Sequence, residues 1–230
     1  MWLIDSSIGR KVVMSVTGSA LIFFLAFHGA MNFVALISED GYNAICEFLG
    51  ANWYALVGTI GLAALIAIHF IYAFILEVRN VRAVGGLKRY SRKERPAGVE
   101  WAAQNMLVLG IIVILGLVLH LTDFWSKMQF QEIMGSTATV EGLGQVSPTD
   151  GAALIGYFFG KTHIAILYLV WLAAIWFHLS HGFWSAMQTL GWNNAKWLCR
   201  WQVIGKIVVT IIIAMFALVV IGFWCKAHCC

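Results

Sequence analysis

The chain has 230 residues, 61% of them hydrophobic and 11% charged, with a net charge of +4. A soluble domain carries about 25% charged residues, and the mean hydropathy here is +0.82, so the composition excludes a soluble globular protein and points to one integral membrane domain. The positive charge sits in loops on one side and is not a nucleic-acid signal. The apolar runs are longer and more continuous than the alternating segments of about ten residues in a β-barrel.

The first expected span covers residues 12–37. Asp5 stands early, no small-residue cleavage site follows, and the run is of membrane length, so no signal peptide is expected. His28 lies in this span, with Asn32 one turn later. Residues 38–51 hold Glu39, Asp40 and Glu47 but no Lys or Arg. The second span covers residues 52–76 and contains His69. After it comes a basic loop with Arg79, Arg82, Lys88, Arg89, Arg92, Lys93 and Arg95. The third span covers residues 99–121 and contains His120. Residues 122–153 carry one lysine, Lys127, and a Gly/Ser/Thr-rich stretch, which predicts a mobile or partner-covered loop. The fourth span covers residues 154–188, longer than a bilayer needs, so it is expected to protrude or tilt. Lys196 and Arg200 precede the last span, residues 203–224. The positive-inside rule puts the N-terminus in the cytoplasm and the C-terminus outside.

Cysteines at 46, 199, 225, 229 and 230 make an odd set. No CxxCH occurs, which excludes covalent c-type haem; the Cys229–Cys230 tail reads as solvated. Trp2, Trp53, Trp101, Trp125, Trp184, Trp192, Trp197 and Trp224 fall near expected span ends, as an interfacial belt does.

An imidazole is costly in hydrocarbon, so an intramembrane His is a functional candidate. Helical rise fixes depth. His28 lies ~26 Å beyond Lys11, and His120, close to Asp123, is also near the outer boundary. His69 lies ~12 Å from the inner boundary at Glu77, and His178 falls in the same half. The result is an outer pair, His28 with His120, and an inner pair, His69 with His178. Each pair draws on two helices, as a four-helix bundle does when it clamps a flat macrocycle. Bis-imidazole ligation fills both axial positions of a haem iron, so the expected task is electron transfer. A lone intramembrane His can instead simply hydrogen-bond a neighbouring helix. His163 is a rival for the outer pair and His181 for the inner cavity. Gly29, Gly110, Gly116 and Gly182 would permit close approach of backbone or porphyrin.

Four segments carry a resemblance in their order and spacing: KVVMSVTGSALIFFLAFHGAMN (11–32), IAIHFIYAF around His69, EWAAQNMLVLGIIVILGLVLHLTDFW with His120, and FHLSHGFWSAMQTLGWNNAKW (177–197). The chain resembles the di-haem cytochrome b subunit of succinate dehydrogenases and quinol:fumarate reductases with a single five-helix anchor. The resemblance covers nearly the whole chain. It implies an all-α bundle of five transmembrane helices, four of them enclosing two b-type haems. It places the distal haem on His28 and His120 and the proximal haem on His69 and His178. It also implies a bacterial cytoplasmic membrane, iron–sulfur and flavoprotein subunits on the cytoplasmic face, and menaquinone as the quinone. A dimer of heterotrimers is among the assemblies it allows. The anchor would exchange electrons with the quinone pool and carry no succinate chemistry itself.

One departure stands out. Some relatives have a glutamate two residues before the helix-four ligand, used to carry protons across the membrane; this chain has Trp176 there. Turnover with menaquinone is therefore expected to be coupled to the membrane potential. For quinol oxidation the sequence offers Glu47 as the expected proton acceptor, from an apolar setting before the second span, and Asn32 as a quinone contact. Glu39, Asp40, Tyr42, Asn52 and Asp123 share that end. Ser15 and Trp101 are expected near the inner propionates, and Lys161 and His163 near the outer. Two rivals remain: another quinol-reactive di-haem anchor, which would carry two ligands on one helix, and a His-dependent transporter, which would have no visible absorption.

Overall fold

The computed structural model describes residues 6–50, 52–83, 100–194 and 196–229. The basic residues 88–95, Trp2 and Cys230 lie outside the described residues.

Helix α1 (Ser7–Phe33) begins where the Ser6 hydroxyl accepts the Gly9 N–H at 2.9 Å, an N-cap that satisfies an otherwise orphan donor. It ends in a 3₁₀ turn, Val34–Leu36. Helix α2 (Glu39–Phe48) is capped by Ser38. Then follow α3 (Trp53–Ala83), a single turn α4 (Trp101–Gln104), and α5 (Met106–His120). Helix α5 widens into a π turn, Leu121–Trp125. Past it come α6 (Gln129–Ile133), strands β1 (Ala138–Val140) and β2 (Gly144–Val146), α7 (Gly151–Phe159), α8 (Thr162–Thr189) and α9 (Trp197–Cys229).

Five helices are long and apolar enough to cross a membrane: Ser7–Leu36, Trp53–Arg82, Met106–Trp125, Thr162–Thr189 and Trp197–Cys229. They run alternately up and down, as a multi-pass membrane protein requires. The N-terminal end of the bundle holds the starts of α1, α5 and α9. The opposite end is covered by α2, α6, the hairpin and α7, and is called the capped end below.

Two expectations about elements change. The fourth span is not one overlong helix. Lys161 has an extended backbone (φ −87°, ψ 114°), which separates α7 from α8; α8 alone is of membrane length. Residues 122–153 are also not a featureless loop. Strands β1 and β2 pair antiparallel with Ala138 opposite Val146 and Val140 opposite Gly144. Ala138, Val140 and Val146 are buried in the main core. The alternation Ala138-Thr139-Val140 turns one apolar face inward. Glycines at 142 and 144, with φ near +80°, make the tight return that other residues rarely adopt.

The bundle has an unequal ring. Helix α1 packs along α3, α8 and α9; α5 packs along α8, and α9 is laid across the α1–α8 side. Helix α3 packs mainly along α1, and none of its described residues is buried. The α3–α5 side of the ring is therefore open between helix backbones.

Elsewhere the packing is tight. A Cβ on Gly116 would lie 2.1 Å from the Trp171 ring of α8, and that indole is pinned because Nε1 donates to the Val113 carbonyl at 3.0 Å. Gly116→Ala is expected to cost about 1–3 kcal/mol through overpacking. A lowered unfolding temperature in detergent would register it; an unchanged temperature would show that the ring can move aside. Gly110 and Gly182, by contrast, face open space.

Candidate functional site

Two pairs of imidazoles meet across the bundle. The His28 ring on α1 lies 5.8 Å from the His120 ring on α5, centroid to centroid, with planes at 80°. The His69 ring on α3 lies 6.5 Å from the His178 ring on α8, at 68°. The helices within each pair share no extended packing seam; the side chains bridge between them. Each pair therefore joins diagonally opposite helices of the α1–α3–α5–α8 ring.

The pairs stand at different levels. His69 lies against Thr17 and Gly18 of α1, and His28 is ten residues beyond Gly18. At the helical rise that is ~15 Å along the axis. The His69–His178 pair is nearer the N-terminal end, and the His28–His120 pair nearer the capped end.

The inner rings are held by α1. The Thr17 hydroxyl donates to the Val13 carbonyl at 2.8 Å and lies 3.1 Å from His69 Nδ1. With its own proton spent on Val13, it accepts from Nδ1–H. That leaves the Nε2 lone pair for a metal, the usual outer-shell arrangement of a ligating His. A Cβ on Gly18 would stand 3.2 Å from His69 Cε1, so glycine lets the ring approach the helix backbone. Nothing in the local sequence distinguishes Gly18 from the glycines at 29, 110, 116 and 182. Ser15 is buried two residues before Thr17. Ser19 Oγ, His178 Nδ1, Ser180 Oγ and His181 Nδ1 are buried without a hydrogen-bond partner. An unmatched buried polar atom costs about 1–3 kcal/mol. His181 Nδ1 faces Glu100 at 3.5 Å; the other three lie on the helix segments that carry the inner pair and suit a bound group that brings its own polar atoms.

His181 does not join the inner pair. Its Nδ1 lies 3.5 Å from Glu100, which also accepts from Trp184 Nε1 at 3.2 Å and faces Lys206 at 3.7 Å. Trp101 is exposed and meets Phe177 edge-on at 5.1 Å.

The outer rings sit among aromatics. His28 stacks on Phe24 at 5.3 Å and meets Phe216 of α9 at 5.6 Å. His120 meets Phe124, Tyr168 and Trp171 within 6.5 Å. Asn32 donates to the His28 carbonyl at 2.8 Å, lies 3.3 Å from His28 Nδ1, and accepts from the Tyr42 hydroxyl at 3.0 Å. These bonds tie Asn32 to His28 and Tyr42 and leave one lone pair of its Oδ1 for a further donor. Burial holds the Tyr42 hydroxyl well above its ordinary pKa of 10.0 and pushes the neighbouring Cys46 thiol up to about 11. Tyr42 is thus the proton donor its bond to Asn32 requires, and Cys46 stays an unreactive thiol at neutral pH.

The remaining candidates are dispersed. Glu47 is exposed on the last turn of α2, not set in an apolar pocket. Lys161 places its ammonium 3.8 Å over the Tyr157 ring. His163 is exposed on the first turn of α8, and its ring packs against neither pair. The acid that is buried at the capped end is Asp123. It sits in the π turn one turn past His120 and accepts from the Tyr168 hydroxyl at 3.0 Å. A π turn is a frequent mark of a functional site.

The donor chemistry and spacing fit a metal held between two imidazoles. Metal–nitrogen bonds of about 2 Å on either side, plus the ring radii, require centroids about 6 Å apart. A direct hydrogen bond between the two rings would bring them to about 5 Å. Among the described residues no group of three or more His, Cys, Asp or Glu side chains is assembled as a protein-only metal site.

The fold and these pairs define the class: a multi-pass helical membrane protein with imidazoles paired across its bundle. Comparison with protein-family models, with curated proteins and with solved structures finds no significant match for the chain.

Proposed function

We propose that the chain is the di-haem cytochrome b anchor of a succinate:quinone oxidoreductase of the bacterial cytoplasmic membrane. One observation carries the reading: two cross-bundle imidazole pairs, at 5.8 and 6.5 Å, on two levels of one bundle. His28 and His120 would hold the outer haem b, and His69 and His178 the inner. Haem b with both axial positions filled supplies one-electron transfer. The open α3–α5 side of the ring and the unmatched polar atoms at the inner level are consistent with a large flat group there.

The chain's own residues orient and insulate. Thr17 fixes the orientation of the His69 ring as an acceptor for Nδ1–H. The capped end shields the outer pair from aqueous solvent, so a quinol would arrive from lipid. By the positive-inside rule the N-terminal end faces the cytoplasm. Iron–sulfur and flavoprotein subunits would dock there and carry out the interconversion of succinate and fumarate. Menaquinol would give up its electrons near the outer pair, with a carboxylate taking the proton.

Two acids compete for that last role. Glu47 is the sequence-based choice. Asp123 is favoured by burial, by the Tyr168 hydrogen bond and by its place one turn from His120. Glu47→Gln and Asp123→Asn separate them. The acceptor's amide variant should lose quinol oxidation by at least about 100-fold, the low end of general acid–base contributions, while keeping both haems. Normal activity in either variant removes that residue from the role.

The broad reading is tested on the purified chain by a dithionite-reduced visible spectrum. A b-type α-band is expected. A colourless chain would favour a His-dependent transporter instead.

A further inference from the structure

The turn between α8 and α9 builds a shelf of three indoles at the N-terminal end of the bundle. Gly191 turns the chain with φ +82°. The Asn194 side chain then accepts the backbone N–H groups of Lys196 and Trp197, both at 3.0 Å. Trp201 Nε1 donates to the Trp192 carbonyl at 2.7 Å. The Trp201 ring lies 6.2 Å from Trp192 and 5.5 Å from Trp197. Local backbone thus fixes the shelf. Its two outer members stay open, Trp192 at 62% and Trp197 at 40% exposure.

Charge on the shelf is of one sign. The Arg200 guanidinium lies 5.2 Å from the Trp197 ring centre. Residues 190–206 contain Lys196, Arg200 and Lys206 and no Asp or Glu. Lys206 is turned to Glu100. Among the described residues no carboxylate pairs with Lys196 or Arg200. The shelf joins two membrane-length helices, so it stands at the level of lipid headgroups.

We propose that this shelf binds one anionic phospholipid of the adjoining leaflet. The phosphodiester sits on Arg200 and Lys196, and the glycerol and upper acyl region lie against Trp192 and Trp197. An ordinary aromatic belt accounts for tryptophan at the interface. It does not call for a shelf of tilted indoles carrying two cations that no carboxylate among the described residues neutralises. A belt is indifferent to headgroup charge; this site is selective for it. The inference does not depend on haem.

The test uses the full chain in nanodiscs made from equal phosphatidylcholine and phosphatidylglycerol, released into native mass spectrometry. The wild type should retain phosphatidylglycerol in excess of phosphatidylcholine. Lys196→Gln with Arg200→Gln should lower that preference about 30-fold, roughly fivefold per charge near the surface. Lys226→Gln, at the opposite end of the bundle, should leave it unchanged. Inorganic phosphate added in excess should not compete, because the acyl contacts are part of the site. Equal retention of both lipids by the wild type overturns the proposal, as does an unaltered preference in the double variant. Should the double variant misfold, Arg200→Lys carries the test: it keeps charge but loses the planar fork, and undiminished retention would again contradict the site. Occupation of the shelf by a co-purified protein in place of lipid would also overturn it.

Discussion

Replacing His28 by Ala is expected to remove one of two haems, and replacing His120 is expected to remove the same one. His69→Ala and His178→Ala should each remove the other. The reason is geometric. The rings meet only within pairs, and a water molecule cannot readily replace an imidazole in a low-dielectric bundle. Haem content should fall from two per chain to one in every single variant. The double variant His28→Ala/His120→Ala should fall no further, since both residues serve one site. Combining one residue from each pair should empty both. Redox titration checks the pairing: the haem left in His28→Ala should titrate as that in His120→Ala does, and the haem left in His69→Ala as that in His178→Ala does. Loss of both haems from single variants at either level, in chains that still fold, would argue against two independent sites.

The second large effect concerns charge movement. In proteoliposomes containing the assembled complex, fumarate reduction by menaquinol should build a membrane potential and accelerate when an uncoupler is added. Electrons would cross from the capped end to the N-terminal end, and each electron moved against 100 mV costs about 2.3 kcal/mol. In the di-haem anchors that this chain resembles, a carboxylate two residues before the position of His178 would cancel that charge with a proton. Here Trp176 fills the position, and its Nε1 donates to Thr210 of α9 at 2.9 Å. No Asp or Glu stands anywhere in α8. The expected turnover is therefore electrogenic. Strictly electroneutral turnover, insensitive to uncoupler, would show another proton route through the bundle.

The sequence displays the spans because hydrocarbon demands long apolar runs, and five such helices are present. Depth was legible for the same reason: helical rise is constant, so counting residues from a charged boundary gives a level. What counting does not give is rotation about the helix axis. Thr17 and Gly18 beside His69 are set by how α1 and α3 pack, and nothing local marks them. Asn32 was visible one turn from His28, but its engagement with Tyr42 depends on α2 folding back over the end of α1. Glu47 has an apolar neighbourhood in sequence, but the helix turns it outward. The break at Lys161 lies inside a run with no proline, so hydropathy alone reads it as one helix. The hairpin at 138–146 was hidden by its glycine and hydroxyl content, although three alternating small and apolar residues fill the core.

Density between the paired rings tests the central claim most directly. An experimental map of the purified chain at a resolution that shows side chains should contain two flat macrocycles, one between His28 and His120 and one between His69 and His178. Rings that instead bond to protein or lipid, with no metal between them, would contradict it.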